Sequence, residues 1–140
     1  MNHLVYLDPQ AGELEKILSG FKSMLVREID TAQPTIHLIR PGDSLYFLRD
    51  SDENILRVKA TVVRVIPFIN CLDEDFPRTL KELQPRLQLT KNQYIYWSIK
   101  KQVLLVEFDS TQKIDVIHLA PGKVIDKTDW IAFEDLRSIT

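Results

Sequence analysis

The segment from Ile55 to Ile66 places Leu56, Val58, Ala60 and Val62 in alternation with Arg57, Lys59 and Thr61. A period of two held over that length fits a strand with one face against a core, and it fits no helix. Leu45-Tyr46-Phe47-Leu48 precedes it across the polar loop Asp50-Ser51-Asp52-Glu53-Asn54, so the two runs read as a β-hairpin. Arg57 and Lys59 share a face of the return strand, and Arg64 falls on the opposite face unless a bulge shifts it. Pro41-Gly42-Asp43 leads in as a tight turn: Pro fixes its own φ, Gly admits positive φ, and Asp bonds back to nearby amides.

The hairpin needs other elements to cover it. Val5 to Leu7 reads as a short first strand ended by Asp8-Pro9. Leu14, Ile17, Leu18 and Phe21 then fall at helical spacing, with Glu13, Glu15 and Lys16 turned outward, and Gly20 is the natural stop. Met24 to Ile29 favours a strand, Thr31 to Pro34 a loop, and Ile36 to Ile39 a short extended piece. Asp75 opens a second helix with Leu80, Leu83 and Leu87 as its apolar stripe, which Pro85 kinks or ends. Thr90 is a suitable N-cap for a third helix carrying Tyr94, Ile95 and Trp97. Val103 to Phe108 is a buried strand by its apolar run. Ile114 to Leu119 and Trp130 to Phe133 read as further strands, with Ala120 to Lys123 as a loop. This order of elements, without a repeat or a clear linker, predicts one α+β domain around a curled sheet.

Composition narrows the function classes. A chain of 140 residues with 44% hydrophobic content can close a single core. Its 18 Lys+Arg against 20 Asp+Glu leave a net charge of −2, so sequence-independent binding to long nucleic acid is disfavoured and any nucleic-acid role needs a local site. Cys71 is the only cysteine, which excludes an intrachain disulfide and a cysteine-based metal site. His3, His37 and His118 lack ligand spacing, so no metal is expected. No charged start leads into an apolar run, and no apolar stretch approaches the roughly 20 residues of a membrane helix, so the expectation is a soluble cytoplasmic protein. Gly-rich phosphate loops and nucleophile elbows are absent from the sequence, and no cofactor is implied.

The helix ending ILSGFK, the strand MLVRE, the turn RPGDSLYF, the strand VKATVVRVIPF and the pair LTKNQYIYW and VLLVEF together resemble the ASCH domain, a family of the PUA-like superfamily. The resemblance covers residues 3–108, with residues 109–140 completing or extending a single domain over 1–140. It implies a PUA-like curled β-barrel flanked by short helices, with a cleft beside Gly20-Phe21-Lys22. The superfamily includes RNA-binding modules and readers of modified bases, and some small ASCH proteins are amidohydrolases acting on N-acetylated cytidine. In the family's Gly-x-Lys-x-x-(Glu/Thr)-x-Arg pattern, Gly20, Lys22 and Arg27 match. Leu25 takes the polar position, where it neither accepts a proton nor attacks a carbonyl.

The leading expectation is therefore binding of RNA or a nucleotide-like ligand in a cleft lined by Gly20, Lys22, Arg27 and Asp43, with Tyr94 as a stacking candidate. Lys22 would contact a phosphate or base oxygen, or be solvated past the helix end. Arg27 would clamp the ligand, or pair with Glu28, Asp30 or Asp43. Asp43 would serve the turn or orient the two cations. A second reading is an amidohydrolase on a modified nucleoside, using Lys22 with Ser23 in place of the missing residue and Glu74 as base, although three acids before a helix also suit its dipole. On an extended strand, Ser23 faces the side opposite Lys22. Tyr94, Tyr96 and Trp97 cannot all face one pocket at helical spacing. A third reading is a protein-interaction module, favoured by an exposed apolar patch around Trp130, Ile131 and Phe133.

Overall fold

The computed structural model of the chain describes residues 1–29, 39–49, 54–68, 75–120 and 130–140, and only the backbone of Trp130. Its strands are β1 (Asn2–Tyr6), β2 (Met24–Glu28), β3 (Ser44–Leu48), β4 (Ile55–Phe68), β5 (Val103–His118) and β6 (Trp130–Phe133). Its α-helices are α1 (Glu13–Leu18), α2 (Asp75–Glu82), α3 (Gln84–Leu87) and α4 (Lys91–Ser98). Among the described residues the strands form one curled sheet in the order β2-β5-β4-β3-β1-β6. Only the β1–β3 pair within it is parallel.

The expected hairpin is present. β3 pairs antiparallel with β4 through Ser44 opposite Thr61, Leu45 opposite Ala60 and Tyr46 opposite Lys59. β4 then continues against β5, where the register shifts between Leu56 and Val58, between Lys59 and Thr61, and between Val62 and Arg64. Each shift inserts unpaired backbone, which bends the strand and increases its twist, and this curls the sheet. The last shift also reverses the side-chain phase. Val58, Ala60, Val62 and Val65 face the inner core, whereas Ile66 and Phe68 turn to the helix-covered face. Arg64 therefore joins Arg57 and Lys59 on the outer side rather than opposing them. The sequence reading of two strands, 103–108 and 114–119, is corrected to one: β5 runs unbroken from Val103 to His118.

Alternation along the strands sorts the apolar residues into separate cores. Leu25, Leu45, Phe47, Val106 and Phe108 fill the inside of the curl with Leu14 and Ile17 of α1. Met24, Val26, Val103 and Leu105 point the other way, under α2, α3 and α4, against Phe76, Leu80, Leu87 and Trp97. A third cluster joins Leu4, Tyr46, Leu48 and Phe133. There Ile131 is half-buried and Phe133 is buried, so these two are packed and do not form an exposed patch. Pro85 acts as expected, separating α2 from α3. Phe21 departs from its expected place in the α1 stripe. The helix closes at Ser19, Gly20 takes φ 84°, and Phe21 is left 67% exposed.

Candidate functional site

Where β1 ends, the chain turns through Asp8 into a short 3-10 turn over Pro9–Ala11 and enters α1 at Glu13. Glu13 lies one helical turn before Ile17, on the face that packs inward, and is 3% exposed. It was expected to point outward, and its burial is the main correction at this site. Its Oε2 accepts the Asp8 backbone N–H at 2.7 Å, and its Oε1 accepts from Gln93 Nε2 at 3.2 Å. The Lys22 ammonium stands 3.7 Å from Oε1. Burial pushes the Glu13 carboxyl up, but Arg27, Lys22 and the two hydrogen bonds outweigh it, and the group lies below the usual carboxylate range. Glu13 is thus an ionised buried acid with cations on two sides.

Lys22 is 2% exposed and does not reach solvent beyond the helix end. Its Nζ donates to the Leu87 carbonyl, at the end of α3, and faces Glu13. Burial pulls the ammonium down to about 8, against the opposing pull of Glu13. Arg27, on β2, donates from Nη1 to the Val26 carbonyl at 2.7 Å and from Nη2 to the Tyr6 carbonyl at 2.9 Å. Its buried Nε–H has no acceptor among the described residues. Among the described residues neither Glu28 nor Asp43 is its partner, and Asp30 lies outside them: the nearby carboxylate is Glu13.

Glu13 and Arg27, but not Lys22, line a cleft of about 390 Å³. Tyr6, Leu7 and Asp8 line it from the end of β1 and the turn that follows, and Asn92, Gln93, Tyr96 and Trp97 line it from α4. The Tyr96 and Trp97 rings meet edge to face, with centroids 4.9 Å apart. Lys100 holds its ammonium 4.5 Å from the Tyr96 ring centre and 3.6 Å from Glu28. Burial pushes the Tyr6 phenol up, so its hydroxyl stays a donor at neutral pH. α4 is fixed by Thr90, whose side chain accepts from the Gln93 N–H while Gln93 Oε1 accepts from the Thr90 N–H. The same Gln93 side chain bonds Glu13, so the helix cap and the buried acid are mechanically joined.

The structure separates other residues that the sequence grouped with Lys22. Asp43 accepts from Arg40 N–H at 3.0 Å, lies 2.8 Å from His3 Nε2, and faces the Met1 amine at 3.6 Å. It sits beside the start of β1, while Arg27 bonds the end of β1, about 13 Å away along the strand. Tyr94 turns from the cleft and donates to the Pro77 carbonyl at 3.3 Å, lining a second hollow with Lys81 and Lys91. Ser23 is held by its backbone, through its N–H to Arg86 and its carbonyl to Phe108, and Leu25 is fully buried in the inner core. Glu74 lies outside the described residues. Gly20 contributes the positive φ that carries the chain from α1 toward Lys22. Among the described residues no group of acids, histidines or cysteines is placed to hold a metal, and no helix is long and apolar enough to cross a membrane.

No family sequence model and no curated protein matches the chain. Solved structures do match. A point mutant of the ASCH protein from Zymomonas mobilis aligns over 98% of this chain and 91% of its own, with TM-score 0.68 and 13% identity. ASCH from Zymomonas mobilis aligns over 84% and 73%, with TM-score 0.63 and 15% identity. The N-terminal domain of Staphylothermus marinus McrB aligns over 99% and 92%, with TM-score 0.54 and 10% identity. The curled sheet with short helices against its faces is accordingly an ASCH-type α+β fold.

Proposed function

We propose that the cleft between β1, α1, β2 and α4 binds the base of a nucleotide-like ligand, free or as part of RNA. The observation that carries this reading is the Arg27 guanidinium, which lines an aromatic cleft and keeps an N–H without an acceptor among the described residues. A buried donor left unpaired is costly, and a ligand that brings an acceptor to this wall relieves that cost. The volume falls within the range of small-molecule sites. Tyr96, 52% exposed at the lip, offers a face on which a base stacks. Lys22 acts through Glu13 rather than by touching the ligand, and Lys100 at the rim is placed for a phosphate outside the cleft. The ASCH-type fold, whose wider superfamily includes RNA-binding modules, supports the same reading.

Isothermal titration with nucleosides, their 5′-monophosphates and short RNA oligomers tests it. Saturable binding should weaken by about 5- to 150-fold in Tyr96→Ala, the equivalent of one lost stacking contact at roughly 1–3 kcal/mol. Binding to none of these probes overturns the proposal. Hydrolysis has one observation in its favour, a Lys22 amine brought down to about 8 beside a carboxylate. Release of acetate from N-acetylcytidine in the same tubes, lost in Lys22→Met, would move the protein into that class.

A further inference from the structure

We infer that Asn92 and Asp8 set the base preference of the cleft, selecting a heterocycle that carries an exocyclic amino group next to a ring-nitrogen acceptor over one that presents a carbonyl there. The inference rests on the ligand reading above and follows from which polar groups in the wall are already engaged. Both Glu13 oxygens accept hydrogen bonds from within the protein. Gln93 accepts from Thr90 through Oε1 and donates to Glu13 through Nε2. Two Arg27 nitrogens donate to backbone carbonyls. Asp8 uses Oδ1 to cap the 3-10 turn at the Gln10 N–H, 3.0 Å away. Among the described residues, the second Asp8 oxygen and the whole Asn92 side-chain amide have no hydrogen-bond partner, and both residues line the cleft.

Asn92 lies one helical turn before Tyr96 on the same face of α4. A base stacked on the Tyr96 ring therefore presents its polar edge toward the Asn92 amide. That amide offers one acceptor and one donor group, whereas the Asp8 carboxylate offers acceptors only. An amino group on the base can donate one hydrogen to Asn92 Oδ1 and the other to Asp8, while the adjacent ring nitrogen accepts from Asn92 Nδ2. Cytosine and adenine carry this pattern. Uracil places a carbonyl oxygen where the amino group would be, directly against the Asp8 carboxylate, and is rejected by repulsion between acceptors.

Titration of the full chain with cytidine, adenosine and uridine, in wild type and in Asp8→Asn, Asn92→Ala and Tyr96→Ala, tests this. Cytidine and adenosine should bind roughly tenfold more tightly than uridine. Asp8→Asn keeps the cap, since Asn serves that role as well as Asp, and adds a donor, so uridine should gain and the gap should close. Asn92→Ala should weaken the amino bases and leave uridine nearly unchanged. Equal affinity for all three nucleosides, lost together in Tyr96→Ala, overturns the preference and keeps the cleft. An unchanged ratio in both Asp8→Asn and Asn92→Ala overturns it as well. Binding of no nucleoside to the wild type overturns both the preference and the cleft.

Discussion

Glu13 is the residue on which the site depends. It is buried with Lys22 and Arg27 beside it, and its two oxygens hold the Asp8 turn and the Gln93 side chain in place. Removing one member of such a group leaves charge buried without compensation. Glu13→Ala should therefore cost about 3–5 kcal/mol in urea denaturation, with Glu13→Gln costing less because its amide oxygen still accepts a hydrogen bond. Lys22→Met, close in volume, removes a buried cation and leaves the Leu87 carbonyl unpaired, at about 1–3 kcal/mol. A Lys22 substitution that costs nothing would show that the pair is not a structural unit. Leu25 sets a different limit. It fills the inner core, so a polar replacement there would face packed side chains and not the cleft.

At the scale of elements, α4 and the end of α1 carry the cleft. Thr90 and Gln93 satisfy each other's backbone N–H groups at the start of α4, and Gln93 reaches across to α1. Thr90→Ala should lower stability by about 1 kcal/mol, measured by thermal unfolding. It should also loosen nucleoside binding, because Asn92, Tyr96 and Trp97 are positioned by the same turn. Gly20 permits a separate test. Its φ of 84° lies in the left-handed region, and a Cβ built there meets nothing within 4 Å. The cost of Gly20→Ala is thus purely conformational, about 1–2 kcal/mol, and Gly20→Asn should recover part of it. Equal stability of the glycine and alanine proteins would mean that the α1 exit adopts another backbone geometry in solution.

For the whole molecule, pH reports on the buried polar groups. Burial lowers the His3 pKa from 6.5 despite the opposing pull of Asp43. The carboxyls of Glu13 and Asp43 also lie below their usual range: burial raises each, but nearby cations and hydrogen bonds outweigh it. In all three cases the folded chain holds fewer protons than the unfolded chain, so stability falls as pH drops. The loss should begin below pH 6.5 through His3 and steepen below about pH 4.3 as the carboxylates protonate. Lys22 acts on the alkaline side. With its ammonium at about 8, the folded chain has shed a proton that the unfolded chain keeps up to 10.5, so stability should rise with pH across that window. The difference between wild type and Lys22→Met, measured by urea denaturation from pH 7 to 10, should follow this rise. A flat difference would place Lys22 in solvent.

Much of the fold was legible because its signals are local. The alternation from Leu56 to Val62, the Thr90 cap, the break at Pro85 and the positive φ at Gly20 each depend on a few neighbouring residues and on backbone sterics. The short motifs that resemble those of ASCH domains pointed to the fold, since they mark the joints between such elements. The site was only half legible. Gly20, Lys22 and Arg27 stood out from the sequence, but Lys22 proved to be a buried support, and Asp43 proved to serve His3 at the other end of β1. Glu13 hid among charges read as solvent-facing, although its spacing from Ile17 placed it at the edge of the apolar stripe. Its partner Gln93 lies 80 residues along the chain. The sequence by itself determined most of the strands and helices, because those choices are fixed within a few residues, although not that β5 runs on through 109–113. Only the tertiary structure decided which charges share a cleft, because that depends on bulges that reset strand phase and on helices packed from distant parts of the chain.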